Sequence, residues 1–93
     1  MKRDLVWSKS FSRAAKRITK KDPFSAETIK IITGLLAQDP YDPHLKTHKL
    51  KGPFKGYLAC SAGYDLRIVF RIVIIEGTEA ILLETIGTHD EVY

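Results

Sequence analysis

Apolar residues recur along this chain with two periods. Phe11, Ala14, Ala15 and Ile18 stand at i, i+3, i+4 and i+7, which is one face of a helix. Lys9, Arg13, Lys16, Arg17, Lys20 and Lys21 occupy the opposite face. Ser8 or Ser10 supplies a side-chain cap at its start. Asp22-Pro23 ends it, because proline disfavours a helical residue before it. A second helix is predicted from Ser25-Ala26-Glu27-Thr28, a cap followed by an early acid. Its apolar stripe is Ile29, Ile32 and Leu36, with Ile31 and Leu35 beside them. So short a connection predicts an antiparallel helical hairpin. Ahead of it, the apolar piece 5–7 predicts a first strand.

The segment Asp39-Pro40-Tyr41-Asp42-Pro43 cannot be regular, and the loop runs on through His44, His48, Gly52 and Pro53. Long loops inside compact domains are often functional. From Gly56 the period becomes two. Residues 57–61, 64–74 and 78–86 predict three strands, joined by turns at Ala62-Gly63 and Glu76-Gly77. In the middle strand Tyr64, Leu66, Ile68, Phe70, Ile72 and Ile74 are expected to face the helices. Asp65, Arg67 and Arg71 must then emerge on the other face. The expected fold is α+β: a strand, a helical hairpin, then a three-stranded antiparallel meander, with the helices on one face of the sheet.

The 93 residues allow one domain, 1–93, with no room for a second core. No apolar run approaches the roughly 20 residues needed to span a bilayer. The charged start Met1-Lys2-Arg3-Asp4 argues against a secretory signal, and the lone Cys60 allows no intramolecular disulfide. A cytoplasmic protein without membrane contact is expected. The net charge of +4 favours polyanions or an acidic protein partner.

A meander places the end of its third strand beside the start of its second. His89 and Tyr93 are therefore expected near Asp65 and Arg67, with the loop holding His48 overhanging the same face. One region would collect His48, Asp65, Arg67, Arg71, His89 and Tyr93. No Ser-His-Asp set, P-loop or paired-carboxylate site competes with this grouping. Two imidazoles, two guanidiniums and a carboxylate suit cleavage of RNA by its own 2′-hydroxyl. Histidine transfers protons near neutral pH, and arginine binds phosphate oxygens. No metal or other cofactor is required. His44 and His48 are four apart, but Pro43 argues against the helix a metal pair would need. The cations of the first helix are a candidate RNA- or ribosome-binding surface.

"HKLKGPFKGY", "YDLRIVFRI" and "IGTHDEVY" together resemble, in order and spacing, the RelE/ParE toxin superfamily, and within it the YafQ-like mRNA interferases. The resemblance implies a toxin of a type II toxin–antitoxin pair that enters the ribosomal A site and cuts mRNA there. By position, His48 resembles the loop histidine of that site, Asp65 its strand aspartate and His89 its histidine near the C-terminus. Arg67 resembles the strand arginine that contacts phosphate, and Tyr93 the terminal aromatic. Two positions depart: Ala59 and Ser61 stand where the family pattern has an acid and a histidine. An acidic, partly disordered antitoxin is the implied partner, in a hetero-oligomer with a toxin that is monomeric alone. Which histidine is acid and which base stays open, and Asp65 would serve either in proton transfer or as an ion-pair partner for Arg67. Two other readings remain, a ParE-like toxin that inhibits gyrase and a non-catalytic RNA- or ribosome-binding toxin.

Overall fold

The computed structural model describes residues 2–92. Strand β1 (Asp4–Trp7) leads into helix α1 (Lys9–Lys21), helix α2 (Phe24–Gln38), the short strand β2 (His48–Lys49), and strands β3 (Leu58–Ala62), β4 (Leu66–Ile75) and β5 (Thr78–Thr88); a short helix α3 (His89–Val92) follows. The strands form one sheet in the order β1-β5-β4-β3-β2. β1 pairs parallel with β5, and the remaining pairs are antiparallel. The α+β arrangement expected from the sequence is present, with one strand more than the pattern showed.

Ser8 is the cap of α1; its hydroxyl accepts from the Phe11 N–H at 3.0 Å. It also donates to the Glu84 carbonyl at 2.8 Å, which docks the helix start on β5. Phe11, Ala14 and Ala15 then enter the core, as their spacing predicts. The second helix departs from expectation at its start. Ser25 lies inside α2 and is buried; Pro23 holds the cap position without a side-chain bond, and just ahead of it the Asp22 carboxylate accepts from the Phe24 N–H at 3.2 Å and the Ser25 hydroxyl at 3.3 Å. Ile31 is exposed, while Thr33 is buried because its hydroxyl donates to the Ile29 carbonyl at 2.8 Å.

The core lies between the helices and one face of the sheet, around Phe11, Leu36, Ile68, Phe70, Ile81, Leu83 and Ile86. The even residues of β4 face it from Leu66 to Ile72. Tyr64 and Ile74, expected to join them, are exposed. Tyr64 and Asp65 belong to the turn before β4, and Ile74 lies beyond the part of the sheet that the helices cover. Trp7 is half exposed and meets the buried Phe11 edge-on at 4.8 Å.

A β-bulge sets the two faces of β5. Val69 opposes Thr85 but Phe70 opposes Leu83, so Glu84 has no opposite residue. The extra residue shifts the alternation, and Ile86, Leu83 and Ile81 all reach the core. Within the apolar run 80–83 the register is unbroken, and Leu82 lies opposite Arg71.

Two stability measurements test this packing. Leu36→Ala should cost about 2–5 kcal/mol by a lowered denaturant midpoint at unchanged slope, because the site is fully buried. The β4–β5 turn places Glu76 and Gly77 at φ 51 and 77, the two left-handed positions of a tight hairpin turn. Glu76→Asn should therefore raise stability by about 0.5–1 kcal/mol, read from the same titration.

Candidate functional site

The sheet's second face is organised in cross-strand rows, because directly opposed residues share a face. One row is Ser61, Arg67 and Gly87. The next is His48, Ala59, Val69 and Thr85. His48 reaches it because the loop forms the edge strand β2 rather than remaining irregular. Strand spacing and rise put the His48 and Arg67 α-carbons roughly 12 Å apart, within joint reach of one phosphate for a histidine and an extended arginine. Ala59 and Ser61, the two departures from the interferase pattern, sit in these same rows. Neither of these two positions carries an ionisable side chain.

His48 Nδ1 lies 3.1 Å from the Lys46 carbonyl oxygen. A carbonyl only accepts, so Nδ1 carries the proton, and neutral His48 bears its lone pair on Nε2. Lys46 has a left-handed backbone, φ 53, as it caps the 3₁₀ turn Pro43–Leu45 two residues ahead of β2. His44 points its Nδ1 at the Asp42 carboxylate instead, at 2.9 Å. The two histidines thus serve different partners, and among the described residues no group of three His, Cys, Asp or Glu is placed to hold a metal.

At the end of the rows, the backbone N–H of His89 donates to the backbone carbonyl of Asp65 at 3.1 Å. This bond brings Asp65 and His89 together, as the topology predicted, but with Asp65 in a turn and not in the strand. Among the described residues no salt bridge joins Asp65 to Arg67. The Arg67 guanidinium donates to the Leu66 carbonyl at 2.9 Å. Arg71 stands four residues along β4, about 13 Å away by strand rise. It lies over the Tyr57 ring at 5.5 Å, and Tyr57 donates its hydroxyl to Glu84 Oε1 at 3.1 Å. Arg71 therefore does not join the expected cluster. Cys60 faces the core, and burial pushes its thiol up to about 12, so it is no nucleophile. Tyr93 lies outside the described residues.

The six cations of α1 are all exposed or half-exposed, but they do not form one track. Lys16 borders Trp7 and Ala26 on the helix side. Arg17 turns toward the second face and pairs with Glu91 at 3.5 Å.

Residue spacing had not pointed to Glu91. Its Oε1 accepts from the Thr88 N–H at 2.8 Å, and its own N–H donates to the Thr88 hydroxyl at 3.3 Å. This reciprocal cap fixes the start of α3 and with it His89. The Thr88-x-x-Glu91 spacing was the signal that could have found it. Gly87 lets the turn close: a Cβ there would come within 3.2 Å of Glu91 Cβ and Val92 Cγ1. Val92 is buried, and with His48, Lys49, Lys51, Pro53 and Phe54 it lines a cavity of about 370 Å³.

A parallel edge strand, a helical hairpin and an antiparallel meander with a basic, histidine-bearing second face define a small RelE-like α+β domain. Residues 3–93 match the family model described as a bacterial toxin of type II toxin–antitoxin systems, YafQ, and the chain belongs to that family. Solved structures agree in fold. YafQ from Escherichia coli strain BL21(DE3) superposes with a TM-score of 0.76 at 22% identity, covering 98% of both chains. The YoeB/ParE toxin from Agrobacterium tumefaciens gives 0.77 at 21%, over 92% of this chain and 98% of that one. A chain of the Escherichia coli DinJ–YafQ toxin–antitoxin complex gives 0.74 at 22%, over 100% and 99%. Sequence comparison with curated proteins gives no match. Among the described residues no helix is long and apolar enough to cross a membrane.

The Thr88 N–H holds the Glu91 carboxyl below its ordinary value, helped by the Thr88 hydroxyl and then by Arg17 and Lys21. A depressed folded-state value means that the cap's contribution is complete above the unfolded carboxylate range. It is lost as pH falls through the folded value. The protection of the Thr88 amide, its exchange rate compared with the intrinsic rate at the same pH, should therefore fall in acid below the usual glutamate range. At neutral pH, Glu91→Ala should speed that exchange severalfold and Glu91→Gln should largely restore it, since glutamine keeps the accepting oxygen.

Proposed function

We propose that this toxin is an endoribonuclease that cuts mRNA on the ribosome by attack of a ribose 2′-hydroxyl on the adjacent phosphate. The observation that supports this reading most is that His48 and Arg67 stand in adjoining rows on one face, with the backbone bond between His89 and Asp65 at the end of those rows. A base takes the 2′-hydroxyl proton, and the freed oxygen forms a bond to phosphorus. The bond to the 5′-oxygen breaks, and an acid returns a proton to that leaving oxygen. The products are a 2′,3′-cyclic phosphate and a 5′-hydroxyl. His48, with its lone pair on Nε2 when neutral, suits the base. His89, held at the start of α3, suits the acid. The reverse assignment uses the same two groups. Arg67 balances the negative charge that grows on the phosphate oxygens. Asp65 would position His89 through the backbone bond between them. Tyr93 would stack on a base or ribose of the bound strand. The chemistry uses proton transfer and guanidinium charge alone.

Ala59 and Ser61 remove two further groups from the centre of this face, and that favours a slow enzyme over a fast one. Membership of the family implies a cognate antitoxin. One of the structures similar in fold is a toxin taken with its antitoxin. An acidic segment folding over this basic domain, with the free toxin monomeric, is the arrangement the charge favours.

The test is primer extension on a defined mRNA, with and without programmed ribosomes. Wild type should cut only when ribosomes are present. His48→Ala and His89→Ala should each lower cutting by about 10²–10⁴-fold, the usual worth of one acid–base group. Undiminished cutting in both variants would remove the assignment. Absence of cutting by the wild type, with arrested translation, would leave a ribosome-binding toxin. DNA damage in place of translation arrest would point to gyrase.

A further inference from the structure

Arg71 belongs to a second groove, of about 680 Å³, at the rim of the sheet where β3 begins. Lys49, Lys51, Lys55 and Arg71 line it with Tyr41 and Tyr57, and no carboxylate residue does. The three lysines are exposed and enter no ion pair among the described residues. Four cations held together without a counter-charge repel one another, an arrangement that gains stability when a polyanion arrives. Tyr41 is exposed to 61%, which leaves a ring available for stacking.

The groove is continuous with the site described above. The cavity containing His48 shares Lys49, Leu50 and Lys51 with it. Arg71 and Arg67 lie on the same face of the same strand, which sets the groove to one side of the cleavage site.

We propose that this groove binds single-stranded RNA, as the track for the substrate segment flanking the cut. The inference rests on the cleavage reading for the identity of the strand. Lysines on rotatable stems tolerate the variable backbone of an unpaired strand. An exposed tyrosine beside them accepts any base, since every base has a π-face. An acidic peptide would be served by the same cations, but it has no bases for Tyr41 to stack against.

The experiment measures binding of the full chain to a short single-stranded RNA that carries 2′-O-methyl riboses and so cannot be cut. Fluorescence anisotropy is read across a salt series. Lys49→Gln/Lys51→Gln should weaken binding at least tenfold at low salt. It should also lower the slope of log affinity against log salt by about 1.4, at roughly 0.7 for each phosphate no longer neutralised. Lys2→Gln/Lys30→Gln removes the same charge from residues outside the groove and should change affinity less than twofold. Tyr41→Ala should cost about fivefold or more. Equal losses in the two double variants would show diffuse attraction and overturn the proposal. So would tighter binding of duplex RNA of the same length, which would make the groove a site for structured ribosomal RNA. Loss of affinity for a poly-glutamate peptide with RNA binding intact would make it a protein site, and would overturn it equally. Groove-dependent binding by a wild type that cuts no mRNA would sink the cleavage reading and leave the track standing.

Discussion

The pairing of β4 with β5 is the constraint on which the rest of this domain depends. Ten residues of β4, Leu66–Ile75, are in register with β5. One face of that ribbon supplies Ile68, Phe70, Ile81, Leu83 and Ile86 to the core. The other supplies Arg67, Arg71 and the floor beneath His48. The bulge at Glu84 keeps both faces usable. Without the extra residue, either the Ile81–Leu83 end or the Ile86 end of β5 would present the wrong side to the helices. The bulge also puts the Glu84 carbonyl where Ser8 caps α1, so the helical layer is tied to the same irregularity. β1 reads its register from β5 in turn, with Trp7 opposite Leu83.

Charge is distributed to match this division. The helix side presents lysines that are merely solvated, such as Lys16 and Lys20. The second face and its rim hold the cations with directed geometry: Arg67 on a backbone carbonyl, Arg71 over an aromatic ring, and Arg17 on Glu91. Exposed pairs such as Arg17–Glu91 contribute little to stability. Their value here is orientation, because Glu91 also closes the cap that fixes His89. A group that starts in position loses no entropy in finding it.

Much of the fold was readable from residue spacing. The helical stripe of α1, the inward residues of β4 between Leu66 and Ile72, and the Glu76-Gly77 turn all follow from period and turn chemistry. The start of α2 lies ahead of Ser25 because Pro23, with its fixed φ, holds the cap position in place of a serine. Ile31, expected beside the apolar stripe, is exposed, and Thr33 is buried because a threonine hydroxyl can satisfy itself on its own helix. Tyr64 and Asp65 continue the strand alternation through a turn that breaks pairing but not pattern.

Residue type and local period were enough to place Arg67 and Arg71 on one side of the sheet, while the family was legible in three motifs that resemble it and is the one residues 3–93 match. Side-chain type and the two-residue period are local properties, so no long-range pairing is needed to read them. Which of those residues meet is a matter of tertiary structure. The β2 edge strand carries His48 into a row with Ala59 and Val69, and the His89–Asp65 backbone bond closes the end of the face. Strand rise separates Arg71 from Arg67 and hands it to a different groove. Register and bulge position are global quantities, fixed only when the whole sheet has found the pairing that buries its core.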